Sequence, residues 1–345
     1  MLKILVISDS TSLHKPLGEH PENPSRIERV LNSLRSIGAL YEEIGVKNIG
    51  VSVEDQLKLA MRIHSKGYID YLVRLSKITP VLIDEDTYMS HGSLELALVT
   101  FTYCYLQALS TKNMVFLISR PPGHHVGRGG KAMGASTQGF CILNNAAAAI
   151  MGFMDRGFKK IAVLDFDVHH GNGTMEIFYS ERVLQVDLHQ DPSTLYPHTG
   201  YPEEMGESEG FGYKVNLILP EGAGDDLYLE LTSRVKELFK EYAPEAIVVS
   251  AGFDAFLNDG LADLAATEVS YYKLGELVRS LRVPVVVVLE GGYSVGLERG
   301  VVSFIEGLKG LLRDYTIKTT TPRALYKRAL SVAERVLEKS SKRVL

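Results

Sequence analysis

In the stretch Val163–Thr174, "VLDFDVHHGNGT", two carboxylates and two imidazoles lie within six residues, Asp165 to His170, directly after the apolar run "IAVL". Burying such groups is costly unless something pairs with them. Side chains alternate along a strand, so Asp165, Asp167 and His169 would share one face if the strand persists. On that face they repel one another or waste acceptors unless a cation is present. Asp254, in "SAGFDA" after a separate apolar run, can bring a further carboxylate to the same point. Two aspartates and a histidine suit a divalent ion with N/O donors and an open position, the pattern of a catalytic rather than a structural zinc. Iron, cobalt or manganese would suit a similar set.

Four of the ten histidines lie in two adjacent pairs, His124–His125 and His169–His170, a concentration that favours chemistry over packing. Metal-assisted hydrolysis needs one group to take a proton from water and one to protonate the leaving amine. Imidazoles do both near neutral pH when a partner fixes the tautomer. If Asp167, His169 and Asp254 suffice as ligands, Asp165 is free to orient one imidazole and Asn172 the other. Tyr293, after "EGG", could place a phenol where negative charge develops on a substrate oxygen. With 17 tyrosines in the chain, that one taken alone reads more readily as packing.

The elements that must position these residues are legible as short Val/Ile-rich runs alternating with helical segments. Strands are expected at 4–8, 114–119, 160–166, 183–188, 213–219, 246–251 and 283–290, and helices at 25–37, 54–76, 93–110, 145–156, 225–242, 268–280 and 298–313. "VVVV" without polar alternation reads as a strand buried on both faces. The expected fold is a single α/β domain, a mainly parallel sheet flanked by helices on both faces, over residues 1–320. Residues 321–345 read as a C-terminal amphipathic helix packed on it or extending from it. "RPPGHH", "DFDVHH", "GFDA" and "GGY" each follow a predicted strand, the sheet edge where open α/β folds bind ligands.

Composition narrows the rest. The formal charge of −5 over 345 residues does not suggest a nucleic-acid binder. Two cysteines without a CxxC pair argue against a disulfide framework or a thiolate zinc site, and fit a reducing compartment. No window approaches the roughly 18 apolar residues of a membrane span, and the apolar run after Lys3 is too short for a signal peptide. The expected location is cytoplasmic.

Taken in order, "HPENPSR", "DEDTY", "RPPGHH", "GFCILNN", "DFDVHHGNGT", "SAGFDA" and "EGGY" resemble the zinc-dependent histone deacetylases. The match is closest to the class II-like branch that includes the acetylpolyamine amidohydrolases. The resemblance implies an arginase/deacetylase fold with one zinc per chain on Asp167, His169 and Asp254. It makes His125 the general base and acid, His124 an electrostatic partner, Asp165 and Asn172 their orienting residues, and Tyr293 the donor to the substrate carbonyl. Phe140, Tyr196 and Leu261 align with the walls of the acyl-lysine tunnel, and Asp86 with a rim carboxylate that grips the substrate backbone. A potassium site is implied near Asp165, Asp167, His169 and Asp187.

Three positions depart from the family pattern: Asp187 stands where serine is usual, Tyr196 where phenylalanine is, and His198 where glycine is. The implied reaction is hydrolysis of an acetylated amine, acetyl-lysine in a protein or peptide, with a small acetylated amine such as an acetylpolyamine as the alternative. The short connection before "DEDTY" favours an open site. A non-catalytic scaffold is disfavoured by the intact ligand set. A binuclear manganese arginase is disfavoured because it needs Asp-x-His-x-Asp rather than "DFDVH".

Overall fold

Val285 and Val287 enter one hydrophobic core while Val286 and Val288 enter another, so the uninterrupted valine run is a strand covered on both faces. The computed structural model describes residues 1–313 and 316–344; residue 345, the end of the expected C-terminal helix, lies outside the described residues. Among the described residues, eight strands form the main sheet: β1 (Leu2–Ile7), β2 (Glu42–Ile44), β3 (Met114–Ile118), β4 (Ile161–Asp165), β5 (Leu184–Gln190), β6 (Lys214–Leu219), β7 (Ala246–Ala251) and β8 (Val285–Leu289). All pair in parallel, in the order β6-β5-β4-β7-β8-β3-β1-β2. The seven predicted strands are present. The eighth, β2, is a three-residue edge strand with two glutamates, too short and polar to show in an apolar pattern.

One face of the sheet is covered by α1 (Ser25–Ser36), α7 (Asp225–Tyr242), α8 (Glu268–Ser280), α9 (Val301–Lys309) and α10 (Arg323–Val344). The other is covered by α2 (Val53–Ala60), α3 (Lys66–Leu75), α4 (Ser93–Ser110) and α5 (Asn145–Asp155). In α1 the buried Ile27, Val30, Leu31 and Leu34 recur at helical spacing and form the stripe that meets the sheet. Each such side chain, fully buried, contributes about 1.5–3 kcal/mol. The alanine run of α5 is started by Asn144, whose Oδ1 accepts from Ala147 N at 2.8 Å. α10 lies on β6 and α7, with Ala333, Val336 and Val344 in the core. Among the described residues no helix is long and apolar enough to cross a membrane.

The helix expected over 54–76 is two helices. Ser65 caps the second, its Oγ accepting from Tyr68 N at 3.2 Å, and its own N donates to Arg128 O at 2.7 Å. Between the two helices His64 is buried, with Nδ1 on Gly127 O at 2.9 Å and Nε2 accepting from Asn144 N at 3.1 Å. These tertiary bonds compete with a continuous helix and win. The helix expected over 298–313 ends at Lys309, where Gly310 takes a left-handed conformation.

Candidate metal centre and active site

β4, β7, β8 and β3 are consecutive neighbours in the sheet. Their C-terminal ends therefore deliver 166–170, 252–254, 290–293 and 119–125 to one place. The shared-face expectation for Asp165, Asp167 and His169 does not hold, because β4 ends at Asp165. Asp165 Oδ1 instead accepts from Asp167 N at 3.1 Å, and Asp167 Oδ1 from His169 N at 2.9 Å. In these two successive aspartate turns each carboxylate bonds the backbone two residues on, in place of strand alternation. Asp165 meets His124, while Asp167 and His169 meet Asp254.

In that trio His169 Nδ1 lies 3.0 Å from Asp167 Oδ1 and 3.2 Å from Asp254 Oδ2. Asp254 Oδ1 accepts from Val168 N at 3.0 Å and Asp167 Oδ2 from Gly291 N at 2.7 Å. Among the described residues, the 3.2 Å approach of His169 Nδ1 is the one donor contact of the buried Asp254 Oδ2. The three donor atoms lie within 4.8 Å of one another, close enough to share one ion at about 2.0–2.2 Å from each. A Cβ at Gly291 would stand 2.1 Å from Asp254 Oδ2 and 2.6 Å from Asp167 Oδ2, so only glycine leaves the carboxylates this room. Burial and the neighbouring Asp167 push Asp254 up to about 6. For His169, the two carboxylates outweigh burial and raise it to about 9. A dication would relieve this crowding of negative charge, and the donor set fits one.

The two imidazoles of His124 and His125 are held by different partners. His124 Nδ1 is 3.0 Å from Asp165 Oδ2, and its Nε2 is 3.8 Å from Asp167 Oδ2. Burial alone would lower His124, but Asp165, Asp167 and Glu290 together raise it well above the usual histidine range. His125 Nδ1 faces the neutral Asn172 Oδ1 at 2.7 Å. Asn172 Nδ2 donates to Ala132 O at 3.0 Å, which fixes the amide so that its oxygen points at the ring. Burial, reinforced by His124 and His169, holds His125 well below the usual range. His170 turns elsewhere, to Thr199 Oγ1 at 2.8 Å and Met175 Sδ at 3.2 Å.

Aromatic rings pack against these groups. The Tyr196 ring stands edge-on to His125 at 5.0 Å, and the half-buried Phe140 and Tyr293 rings meet edge-on at 5.9 Å. Gly139 takes φ +52° against His125, where a Cβ would stand 2.4 Å from the ring. Burial around its hydroxyl pushes Tyr293 well above the usual tyrosine value, so the phenol keeps its proton. Leu261 is half-buried in the loop after Asp254, outside the ring contacts and hydrogen bonds that join the others. Asp86 lies on the turn of a small hairpin, its carboxylate accepting from Thr87 Oγ1 at 2.8 Å and Thr137 Oγ1 at 2.5 Å. Asp187 pairs in register with Asp165, and its Oδ1 accepts from Gly171 N at 3.0 Å; among the described residues its buried Oδ2 has no hydrogen-bond partner. His198 is exposed, with Nδ1 on Pro192 O at 2.8 Å.

Three supporting residues escaped the sequence reading. Arg26 lies over the Tyr293 ring, 4.8 Å from its centroid, and donates from Nε to Gly292 O at 2.7 Å. Asp259 accepts from Tyr293 N at 2.7 Å and Ser294 N at 2.9 Å. Glu290, pushed up to about 7 by burial, accepts from Gly123 N at 2.7 Å and His124 N at 3.2 Å. Arg26 and Glu290 stand inside the quoted motifs "HPENPSR" and "EGGY", which were the available signal.

Comparison with known proteins gives a consistent picture. A profile described as the histone deacetylase domain matches residues 20–308. A protein named a probable deacetylase, from Archaeoglobus fulgidus, is 36% identical over 308 residues, covering 86% of this chain and 82% of the relative. The crystal structure of the HDA15 HD domain superposes with a TM-score of 0.81 at 27% identity, covering 99% of this chain and 100% of that one. An acetylpolyamine aminohydrolase structure from Burkholderia pseudomallei gives 0.74 at 28% identity, covering 90% and 100%.

Proposed function

This chain belongs to the histone deacetylase family, and from that premise we propose that it is a zinc-dependent amidohydrolase acting on acetyl-lysine in polypeptides. Its family relatives are deacetylases and acetylpolyamine amidohydrolases, hydrolases of amide bonds, and it is a deacetylase of that family. The observation that carries the finer reading is the cluster of three donor atoms within 4.8 Å of one another, in which two buried carboxylates crowd a single imidazole nitrogen. Zinc held by Asp167, His169 and Asp254 would polarise the acetamide carbonyl and acidify the attacking water.

The protein's own groups do the rest. Because Asn172 Oδ1 accepts at Nδ1, the His125 lone pair sits on Nε2, where it can take a proton from water and return it to the leaving amine. Asp165 holds His124 as an imidazolium, a fixed positive charge beside that proton transfer. Tyr293 donates its hydroxyl to the oxygen that gains charge. Phe140, Tyr196 and Leu261 would wall the aliphatic arm of the substrate, and Asp86 would hold its backbone. A potassium ion near Asp165, Asp167, His169 and Asp187 is part of the same reading, supported by the unpartnered Asp187 Oδ2. Residues 1–320 would be the catalytic unit and 321–345 an appended helix. The proposed compartment is the cytoplasm, which suits two buried free cysteines.

A second substrate reading, an acetylated polyamine, is favoured by the acidic turn Asp84–Glu85–Asp86 at the rim. Burial and its neighbour Asp86 raise Asp84, a field that attracts cationic amines. Acetate release by the zinc-loaded protein, with an acetyl-lysine peptide and an acetylpolyamine offered in parallel, tests both. Faster turnover of the peptide is expected. Faster polyamine turnover would favour the second reading, and silence on both would overturn each.

A further inference from the structure

Lys214, the first residue of β6, is 0% exposed. Its ammonium donates to Val183 O at 2.7 Å and Glu181 O at 3.2 Å, and among the described residues it forms no ion pair with a carboxylate. Lysine is almost never fully buried without a charged partner, because an unpaired buried charge is expensive. Burial pushes Lys214 down to about 7, while Glu181 and Asp187 pull it upward. Both carbonyls belong to the turn that links β5 to the helix α6 (Asn172–Ile177). Glu181 N donates to Phe178 O at 3.0 Å and Val183 N to Glu181 O at 2.8 Å, which curls the turn around the ammonium.

We propose that Lys214 is a tethered monovalent cation, its ammonium filling a backbone-carbonyl cage that would otherwise take a potassium- or ammonium-sized ion. The two ions are close in size, and backbone carbonyls replace the hydration shell of potassium in the same manner. This cage is separate from the surroundings of Asp187: Lys214 pairs in register with Gln185, and its ammonium reaches back to the turn before β5. A cation that cannot dissociate thereby fixes the far end of the segment whose first helical residue, Asn172, holds His125. Lys214 is a positioning residue, acting through that turn.

The test is cation-specific thermal stability. Wild type and Lys214→Ala are melted in potassium, ammonium and tetramethylammonium chloride at equal ionic strength. The variant should melt lower in tetramethylammonium, and potassium and ammonium should each raise its Tm by about 2–4 °C more than they raise that of the wild type. Lys214→Met fills the space without charge and should show no such gain. A parallel salt response of wild type and Lys214→Ala overturns the proposal, as does an equal gain in the methionine variant. If neither variant folds, 15N NMR of the wild-type lysines decides: a protonated, slowly exchanging Nζ at pH 6 supports the cage, and a neutral amine there overturns it. None of these readouts involves deacetylation, so the outcome is independent of the proposed activity.

Discussion

Two buried charged clusters lie past the C-terminal ends of the strands, one around Arg120 after β3 and one around Asp167, His169 and Asp254 after β4 and β7, and they are built in opposite ways. Arg120 is fully buried and every guanidinium nitrogen has an acceptor: Nε on Glu22 Oε1 at 2.7 Å, Nη1 on Leu13 O at 2.9 Å, and Nη2 on Glu22 Oε2 at 2.7 Å. Glu22 also accepts from Tyr88 OH at 3.0 Å and Arg26 Nη1 at 3.3 Å. Burial would raise Glu22, but Arg120 and His14 outweigh it and hold the carboxyl well below its usual value. The Asp167–His169–Asp254 cluster is as deeply buried at its carboxylates, yet there two carboxylates share a single imidazole nitrogen, the reverse of one carboxylate shared by two guanidinium groups. A closed network of charges is scaffold. An open one retains capacity for something the chain does not itself supply.

The largest effect expected from breaking this distinction is at the open cluster. Asp254→Asn keeps an acceptor for Val168 N but sets an amide NH2 where Oδ2 stood. Bound zinc, measured by elemental analysis, should fall from about one per chain to none, with turnover down by more than about 1000-fold. The metal-free variant should melt no lower than the metal-free wild type, because one of two crowded carboxylates is gone. A large loss of stability would mean that this cluster is scaffold too.

Arg120→Met is the mirror experiment. It leaves the buried Glu22 with only Arg26 and His14 against its charge, a loss of about 3–5 kcal/mol and a Tm fall of about 4–7 °C. Zinc content per folded chain should stay near that of the wild type. Tyr293→Phe comes next: acetate release should fall about 100–1000-fold, the cost of one donor to a developing oxyanion, with zinc content and Tm unchanged. Near-normal turnover would remove Tyr293 from the proposed chemistry.

The difference between the clusters also marks what the sequence could reveal. Val/Ile runs disclosed the strands because burial on both faces leaves no other pattern, and the density of Asp and His after β4 disclosed the open cluster. The closed cluster was not read as one: Glu22, Arg26 and Arg120 stand inside "HPENPSR" and "RPPGHH", but nothing in their spacing pairs them until tertiary contacts bring them together. The two aspartate turns after Asp165 could not be read either, since they depend on side-chain bonds to backbone N–H groups just past the end of β4. The break between α2 and α3 arose likewise, from His64 and Ser65 bonding to Gly127 and Arg128 across the fold.

That break supplies the smallest effect and the finest test of how separable scaffold and site are. Ser65 Oγ caps α3 by accepting from Tyr68 N, and Tyr68 OH donates to Ile142 O at 2.9 Å while accepting from Gln138 Nε2 at 2.9 Å. The cap thus stands behind the 138–142 segment that carries Phe140. Ser65→Ala should cost about 1 kcal/mol, the usual value of an N-cap, and lower Tm by about 1–2 °C. If the closed parts only support the site, the remaining bonds of Tyr68 keep Phe140 in place, and acetate release should stay within about twofold of wild type. A drop of tenfold or more at so small a stability cost would mean that the wall of the opening is set by the helix start itself. The boundary between scaffold and site would then have to be drawn further back, at α3.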